Sequence, residues 1–137
     1  MLSVEENERL SRVGAGTPMG NLLRRYWHPI AATVDLEREQ VLPVRVLGEN
    51  LVLYRTRRGS YGLIQERCPH RSASLAYGIP HDDGLRCPYH GWLFDSSGAC
   101  LEQPYDDIAE EGGGGSFKDK IRVDAYEVQE LGGMVWA

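Results

Sequence analysis

Cys68-Pro69-His70, followed after sixteen residues by Cys87-Pro88-Tyr89-His90-Gly91-Trp92, is the stretch of sequence that decides the fold. It contains two thiols and two imidazoles in two short pairs, with one Cys and one His in each pair. This mixed set suits a 2Fe–2S cluster in which two Cys bind one iron and two His bind the other. We therefore predict that the chain binds such a cluster and transfers single electrons through it. The predicted ligands are Cys68, His70, Cys87 and His90.

The residues next to these ligands favour two tight loops. Pro69 and Pro88 directly follow the two Cys, and a proline ring fixes φ at about −65°. Gly91 follows the second His and lets the backbone approach closely where a Cβ would clash. Backbone N–H groups in such loops can point at cluster sulfides, as they do in anion-binding nests.

A tetrahedral zinc site is the main alternative, because two Cys and two His also suit Zn²⁺. Zinc fingers usually pair Cys with Cys and His with His, whereas each half of this motif has one of each. A zinc-stabilised interaction module therefore stays as a remote alternative. Free core thiols with unrelated surface histidines would require all four residues to fall into this arrangement by chance.

Length, composition and charge are typical of one globular domain covering residues 1–137, with 42% hydrophobic and 26% charged residues. A net charge of −5 argues against a nucleic-acid partner, which would favour a basic face. No apolar run approaches the roughly 18 residues that a membrane span needs, and the N-terminus lacks a signal-peptide pattern. Three cysteines do not suggest a disulfide framework. We expect a cytoplasmic chain that binds neither nucleic acid nor membrane.

The sequence pattern predicts a helical arm followed by many short strands. In residues 1–26, Ser3 with Glu6 forms a capping box, and Thr17-Pro18 begins a second helix. Beyond this arm the hydrophobic pattern has period two, with frequent Gly and Pro turns, which favours a mainly β, antiparallel sandwich or barrel. A hairpin is expected around 48–50 and another around 95–98. The predicted strands are 43–47, 51–54, 61–65, 92–94, 99–101, 121–123, 126–129 and 134–136.

One segment is compositionally unusual. Gly112-Gly113-Gly114-Gly115-Ser116 follows an acidic stretch and predicts a flexible linker at 112–116, since it has almost no side chains to pack. A natural glycine loop is one explanation. We hypothesise instead an engineered bridge that replaces a native segment.

The motif and its surroundings resemble a known family, the Rieske non-haem iron oxygenases. Further segments resemble the N-terminal part of phthalate-dioxygenase-like oxygenase α subunits, which hydroxylate or demethylate aromatic compounds. These segments are Gly16-Thr17-Pro18-Met19-Gly20, Arg25-Tyr26-Trp27-His28-Pro29, Val46-Leu47-Gly48-Glu49 and Leu131-Gly132-Gly133-Met134-Val135-Trp136-Ala137. The resemblance implies a Rieske domain, an antiparallel β sandwich with a cluster-binding subdomain inserted at 66–104. It also implies that Cys68 and Cys87 bind an inner iron, with His70 and His90 on an outer iron near solvent.

Three positions separate this chain from the cytochrome bc branch of Rieske proteins. That branch carries an additional Cys in each loop, forming a disulfide, and a Ser after His-Gly. Ala73, Tyr89 and Trp92 stand at those positions here. Because hydrogen bonds to cluster sulfur raise the reduction potential, we predict a lower potential than in that branch.

The remaining His and Cys are predicted to be structural. His28 is expected to be packed, His81 to lie in a surface turn, and Cys100 to be a half-buried strand residue. Full-length relatives add a domain that holds a mononuclear iron through two His and a carboxylate. We expect that oxygen-activating site to be absent, because the pattern stops at Ala137 and only His28 and His81 are left to ligate iron.

The resemblance therefore implies the electron-delivery domain of an aromatic hydroxylating or demethylating oxygenase. Its expected partners are a reductase or ferredoxin donor and a mononuclear-iron catalytic domain, in the parent protein that of a neighbouring subunit. A stand-alone Rieske ferredoxin is the alternative, although such ferredoxins usually lack the N-terminal helical arm. Arg71, Tyr89 and Trp92 border the ligands. They are expected to shape the docking surface or shield the cluster, or else to pack the loops.

Overall fold

A computed structural model describes residues 1–104 and 117–137, and within these ranges the fold is mainly β with short helices. Every strand pair recorded there is antiparallel, so the predicted fold class is confirmed. The predicted linker at 112–116 lies outside the described residues. The helices are α1 Val4–Ser11, α2 Pro18–Leu23 and α3 Thr33–Arg38, with 3₁₀ turns at Leu75–Tyr77 and Phe117–Lys120. The strands are β1 Pro29–Ala32, β2 Val41–Val46, β3 Glu49–Arg55, β4 Tyr61–Gln65, β5 Ile79–Pro80, β6 Leu85–Arg86, β7 Leu93–Phe94, β8 Cys100–Glu102, β9 Ala125–Tyr126, β10 Gln129–Leu131 and β11 Met134–Trp136.

The described strands form three sheets, ordered β1-β11-β10, β2-β3-β4-β9 and β5-β6-β7-β8. Strand β3 lies at the centre of the packing because its side chains are buried on both faces. Leu51 and Leu53 pack with Leu36 and Val135 in one cluster. The alternate residues Val52 and Tyr54 pack in the other cluster. That second cluster contains the Cys of the motif and most of the buried side chains of the β5–β8 sheet.

The N-terminal arm contains the two predicted helices. The capping box of α1 is present, since Ser3 N–H donates to Glu6 Oε2 at 2.7 Å and Glu6 N–H donates to Ser3 Oγ at 3.2 Å. The side chain of Thr17 caps α2 by accepting from Gly20 N–H at 3.1 Å. Arg24, just after α2, then joins the arm to the β2–β3 hairpin through the carboxylate of Glu49.

The β2–β3 hairpin differs slightly from its prediction. Val46 already pairs with Glu49, so the turn consists of Leu47 and Gly48 rather than 48–50. Both turn residues have positive φ, 47° and 87°, as the primed turns of short hairpins require. Leucine rarely adopts this conformation, which is why the pattern placed the loop one residue too late.

Other parts of the observed secondary structure also differ from the prediction. Helix α3 was not predicted. Leu36 is its single buried residue, so the sequence shows no helical repeat of apolar residues there. Segment 121–123 forms only an isolated bridge between Ala99 and Arg122. The predicted strand 126–129 is divided between β9, which pairs with β4, and β10, which pairs with β11. None of the helices in the described ranges is long and apolar enough to cross a membrane.

Candidate cluster-binding site

The two motif loops share one backbone arrangement, and we call residues 68–73 loop 1 and residues 87–92 loop 2. In loop 1, Cys68 N–H donates to Ala73 O at 2.9 Å, and Ser72 N–H donates to Cys68 O at 2.8 Å. Loop 2 repeats both bonds at the same offsets: Cys87 N–H donates to Trp92 O at 2.8 Å, and Gly91 N–H donates to Cys87 O at 3.1 Å. Each Cys therefore occupies the same position in a tight turn.

The thiols of Cys68 and Cys87 lie side by side in the core beneath these loops, 2% and 3% exposed. The pKa of Cys68 is raised to about 11, chiefly by burial. The backbone N–H groups of His70 and Arg71 lower it, and the neighbouring Cys87 sulfur raises it. A buried thiol in such surroundings becomes a thiolate only beside a cation. The pair is thus suited to a metal that supplies positive charge between them.

The imidazoles of His70 and His90 lie outside the thiols and are exposed. Their ring centroids are 4.5 Å apart, with an interplanar angle of 62°. The pKa of His90 is lowered by desolvation, then by the neighbouring His70 and Arg71. This favours the neutral imidazole that a metal ligand requires.

Aromatic side chains of loop 2 contact both imidazoles. Trp92 stacks on His70 of the other loop, with centroids 4.7 Å apart and planes within 4° of parallel. The ring of Tyr89 lies 3.8 Å from the ring of His90. Trp92 thereby connects loop 2 to His70 of loop 1.

The arrangement of the four side chains, both how closely they converge and how deeply each is buried, indicates which metal group they fit. The described residues contain no group of three His, Cys, Asp or Glu side chains that converges as a mononuclear metal site requires. A 2Fe–2S cluster needs only two protein ligands for each iron. Two buried thiols beneath two exposed imidazoles fit that cluster better than they fit a tetrahedral zinc ion.

Comparison with known proteins agrees with this geometry. Residues 26–111 match the model of the Rieske [2Fe-2S] domain. The chain belongs to the Rieske [2Fe-2S] domain family. Its cofactor is a Rieske-type 2Fe–2S cluster, and the function of such a domain is electron transfer.

Several relatives of this Rieske domain are oxygenase subunits. The chain is 56% identical over 137 residues to the 5,5'-dehydrodivanillate O-demethylase oxygenase subunit of Sphingobium sp. (strain NBRC 103272 / SYK-6), covering all of this chain and 32% of the relative. It is 40% identical over 139 residues to the phthalate 4,5-dioxygenase oxygenase subunit of Pseudomonas putida, covering 100% of this chain and 30% of the relative. The chain thus spans about a third of the length of these relatives.

A solved structure confirms the fold. NdmA from Pseudomonas putida CBB5, determined with caffeine, superposes with a TM-score of 0.71 at 33% identity, covering 85% of this chain and 33% of that chain. The predicted resemblance to the oxygenase subunits of Rieske oxygenases is therefore confirmed.

The other His and Cys of the Rieske domain have contacts of their own. His28 Nε2 lies 2.9 Å from Leu23 O, and its backbone pairs with Ala137 in both directions. His81 N–H donates to Gly84 O at 2.8 Å, which closes the β5–β6 turn. Cys100 is 6% exposed, more buried than predicted, and its thiol contacts Glu102 O at 3.5 Å.

Two residues at the site were missed in the sequence. Arg67 and Arg86 each directly precede a motif Cys, and each guanidinium donates to a backbone carbonyl of its own loop. The signal was present, because Arg-Cys-Pro occurs at both halves of the motif. An arginine at the surface is usually a solvated charge, so its contact with a carbonyl cannot be read without the fold.

Proposed function

We propose that Cys68 and Cys87 hold the inner iron of the cluster and that His70 and His90 hold the outer iron. The observation that supports this assignment is the equivalence of the two loops, which sets two buried thiols beneath two exposed imidazoles. When bound, the cluster supplies one-electron redox chemistry at a potential that His ligation raises above that of an all-Cys cluster.

The buried and the exposed residues of the site have different roles in electron delivery. Burial of the two thiols keeps water from the sulfur ligands, because both Cys lie in the apolar cluster with Tyr54 and Phe94. The exposed imidazoles are the side of the site that a docked partner can contact. We propose that electrons arrive from a reductase or ferredoxin and leave for a mononuclear iron on a catalytic domain of a neighbouring subunit.

We further propose that the chain is the electron-delivery part of an oxygenase that removes a methyl group from an aromatic ether. The relative that supports this reading is an O-demethylase subunit, 56% identical over the whole chain, whereas the phthalate dioxygenase subunit is 40% identical. Both are oxygenase subunits matched along the helical arm as well as the motif. That extent favours an oxygenase over a stand-alone ferredoxin.

Metal analysis and spectroscopy of the purified holoprotein test the ligand assignment. We expect two iron and two acid-labile sulfide per chain, with the electron paramagnetic resonance of a reduced Rieske centre. Cys68→Ser and Cys87→Ser should each lose the cluster, and His70→Ala and His90→Ala should lose or alter its spectrum.

Cys100→Ser is the matched control, because Cys100 belongs to the same buried cluster but lies outside both loops. It should keep full iron content and an unchanged spectrum. A colourless, zinc-loaded protein would contradict the proposal, as would a Cys68→Ser variant that retains the native spectrum.

A further inference from the structure

Arg86 connects the two ends of loop 2. It directly precedes Cys87, and its Nη1 donates to Gly91 O at 2.7 Å, the carbonyl just after His90. Its Nη2 donates to Glu102 Oε2 on β8 at 2.5 Å. The side chain of Arg86 is 25% exposed and that of Glu102 is 52% exposed, so the bond to Gly91 O is better shielded from water than the pair with Glu102.

Loop 1 contains the same arrangement in a weaker form. Arg67 directly precedes Cys68, and its Nη1 donates to Ser72 O at 3.3 Å. Its Nη2 lies 3.5 Å from Glu66 Oε1, and its side chain is 63% exposed. Ser72 and Gly91 each follow their Cys by four positions, so the two arginines bind equivalent carbonyls. The recurrence at one offset argues against an accidental surface contact.

The carbonyl that Arg86 binds is close in the chain to an exposed ligand. Gly91 has φ of 76°, a conformation outside the usual range of L-residues, and it directly follows His90. Its carbonyl, in the peptide to Trp92, is one residue from the backbone of His90. His90 is exposed, and its ring contacts are with His70 and Tyr89, which are exposed as well. A charge-assisted bond to Gly91 O therefore fixes the side of loop 2 that core packing does not reach.

We propose that Arg86, held by Glu102, is a positioning residue that fixes the orientation of His90 toward the cluster, and that Arg67 is its weaker counterpart in loop 1. This inference rests on the proposed assignment of His90 as a ligand. A purely structural role, joining β6 to β8, is the competing explanation, and it predicts a loss of stability without any change at the loop.

The test compares Arg86→Gln, Arg86→Lys and Glu102→Gln in the holoprotein. The readouts are the spectrum of the reduced cluster, the midpoint potential and amide hydrogen exchange at Cys87 and Gly91. A charge-assisted bond of about 1.4 kcal/mol corresponds to roughly tenfold in an opening equilibrium. We expect roughly tenfold faster exchange at Gly91 in Arg86→Gln, with a broadened or shifted spectrum and a changed potential. Arg86→Lys, which keeps one donor, should restore part of each signal.

Arg58→Gln is the matched control. Arg58 forms an exposed ion pair with Asp83 in the β5–β6 turn of the same sheet, but no recorded bond to either loop. It should leave exchange at Gly91 and the cluster spectrum unchanged. Arg67→Gln should act on loop 1 in the same way as Arg86→Gln acts on loop 2, with a smaller change.

The outcomes separate this inference from the ligand assignment. Native spectrum, potential and Gly91 exchange in Arg86→Gln would overturn the inference, even if the protein became less stable, and would leave the ligands untouched. Retention of the native cluster in His90→Ala would instead sink the assignment. If Arg86→Gln fails to load iron, Glu102→Gln provides the test instead. This variant keeps the bond from Arg86 to Gly91 O but removes the charge that holds Arg86, so we expect a smaller change in the spectrum, the potential and Gly91 exchange, in the same direction. No change in any of these readouts would count against the inference.

Discussion

At the scale of single residues, the two loops need a positive φ at the same position but have different residue types there. The residue four positions after each Cys has a positive φ, 56° at Ser72 and 76° at Gly91. An L-residue in this conformation costs about 1–2 kcal/mol, which glycine avoids. Loop 2 therefore needs glycine more strictly than loop 1, because a Cβ at Gly91 would also lie 3.0 Å from Pro104 Cγ.

Gly91→Ala should lower the free energy of unfolding by about 2 kcal/mol and accelerate loss of the cluster. Thermal unfolding and the decay of the visible absorbance measure the two effects. Gly16→Ala is the control, since Gly16 has a similar φ of 80° but nothing within 4 Å of its added Cβ. Equal destabilisation by the two substitutions, with equal cluster lifetimes, would show that the contact with Pro104 is unimportant.

At the scale of elements, β3 and β4 are joined by an aromatic ring that covers a glycine. Tyr54 pairs with Gly62 across the two strands and is fully buried. A Cβ on Gly62 would lie 2.4 Å from the Tyr54 ring, far inside contact distance. The glycine thus makes room for the largest side chain of the cluster that also buries both motif Cys.

Gly62→Ala should therefore displace the Tyr54 ring and cost about 1–3 kcal/mol, the usual range for overpacking a core. The urea midpoint of unfolding measures this cost. Gly14→Ala, at a site where an added Cβ meets nothing within 4 Å, should change the midpoint little. An unchanged urea midpoint in Gly62→Ala would mean that the Tyr54 ring can move away from an added Cβ without a measurable loss of stability.

The contact between the helical arm and the hairpin makes stability depend on pH. The Arg24 guanidinium, and after it the Tyr126 hydroxyl, hold the pKa of Glu49 below its ordinary value. A lowered pKa means that the folded state favours the charged carboxylate. Its contribution is complete above the unfolded value of about 4.3 and is lost as pH falls through the folded value.

Glu49→Gln should accordingly destabilise the protein by about 1 kcal/mol at pH 7, with a difference from wild type that shrinks as pH falls below 4. Urea unfolding from pH 7 to pH 3 measures the difference at each pH. Glu8→Gln removes an exposed pair between α1 and Arg12, the residue just after it, and should change stability little throughout. A difference that grows on acidification would have the wrong sign for this ion pair.

These elements also show what the sequence could and could not reveal. The Cys and His types at fixed spacing specified the cofactor, because few metal groups use that set of ligands. The capping box and the Thr17-Pro18 start were readable because they depend on neighbours three residues apart or fewer. The division at 126–129 was not readable, since it depends on which distant strand each half joins. The bond from Arg86 to Glu102 likewise depends on tertiary structure, because the two residues lie on β6 and β8 with β7 between them.

At the scale of the whole molecule, the described residues place the ligand types for an iron–sulfur cluster in two loops and the remaining histidines in separate elements. All four histidines lie within the described residues, and two of them, His70 and His90, lie in the two loops. His28 and His81 are engaged in separate elements, and no group of three ligating side chains converges among the described residues. The relatives, about three times as long, have length in which such a centre can lie.

We therefore predict that the reduced 137-residue holoprotein gives one electron per chain to an outer acceptor such as cytochrome c, without oxygenating a substrate. Stopped-flow absorbance at the cluster band should follow a single one-electron phase. Incubation with oxygen, a reductant and an aryl methyl ether should yield no demethylated product. His90→Ala should lose the electron-transfer phase, whereas Cys100→Ser should retain it, because only His90 belongs to the exposed edge of the site. Product formed in proportion to the electrons consumed would contradict the prediction that these residues transfer electrons without oxygenating a substrate, since it would require an oxygen-activating centre within them.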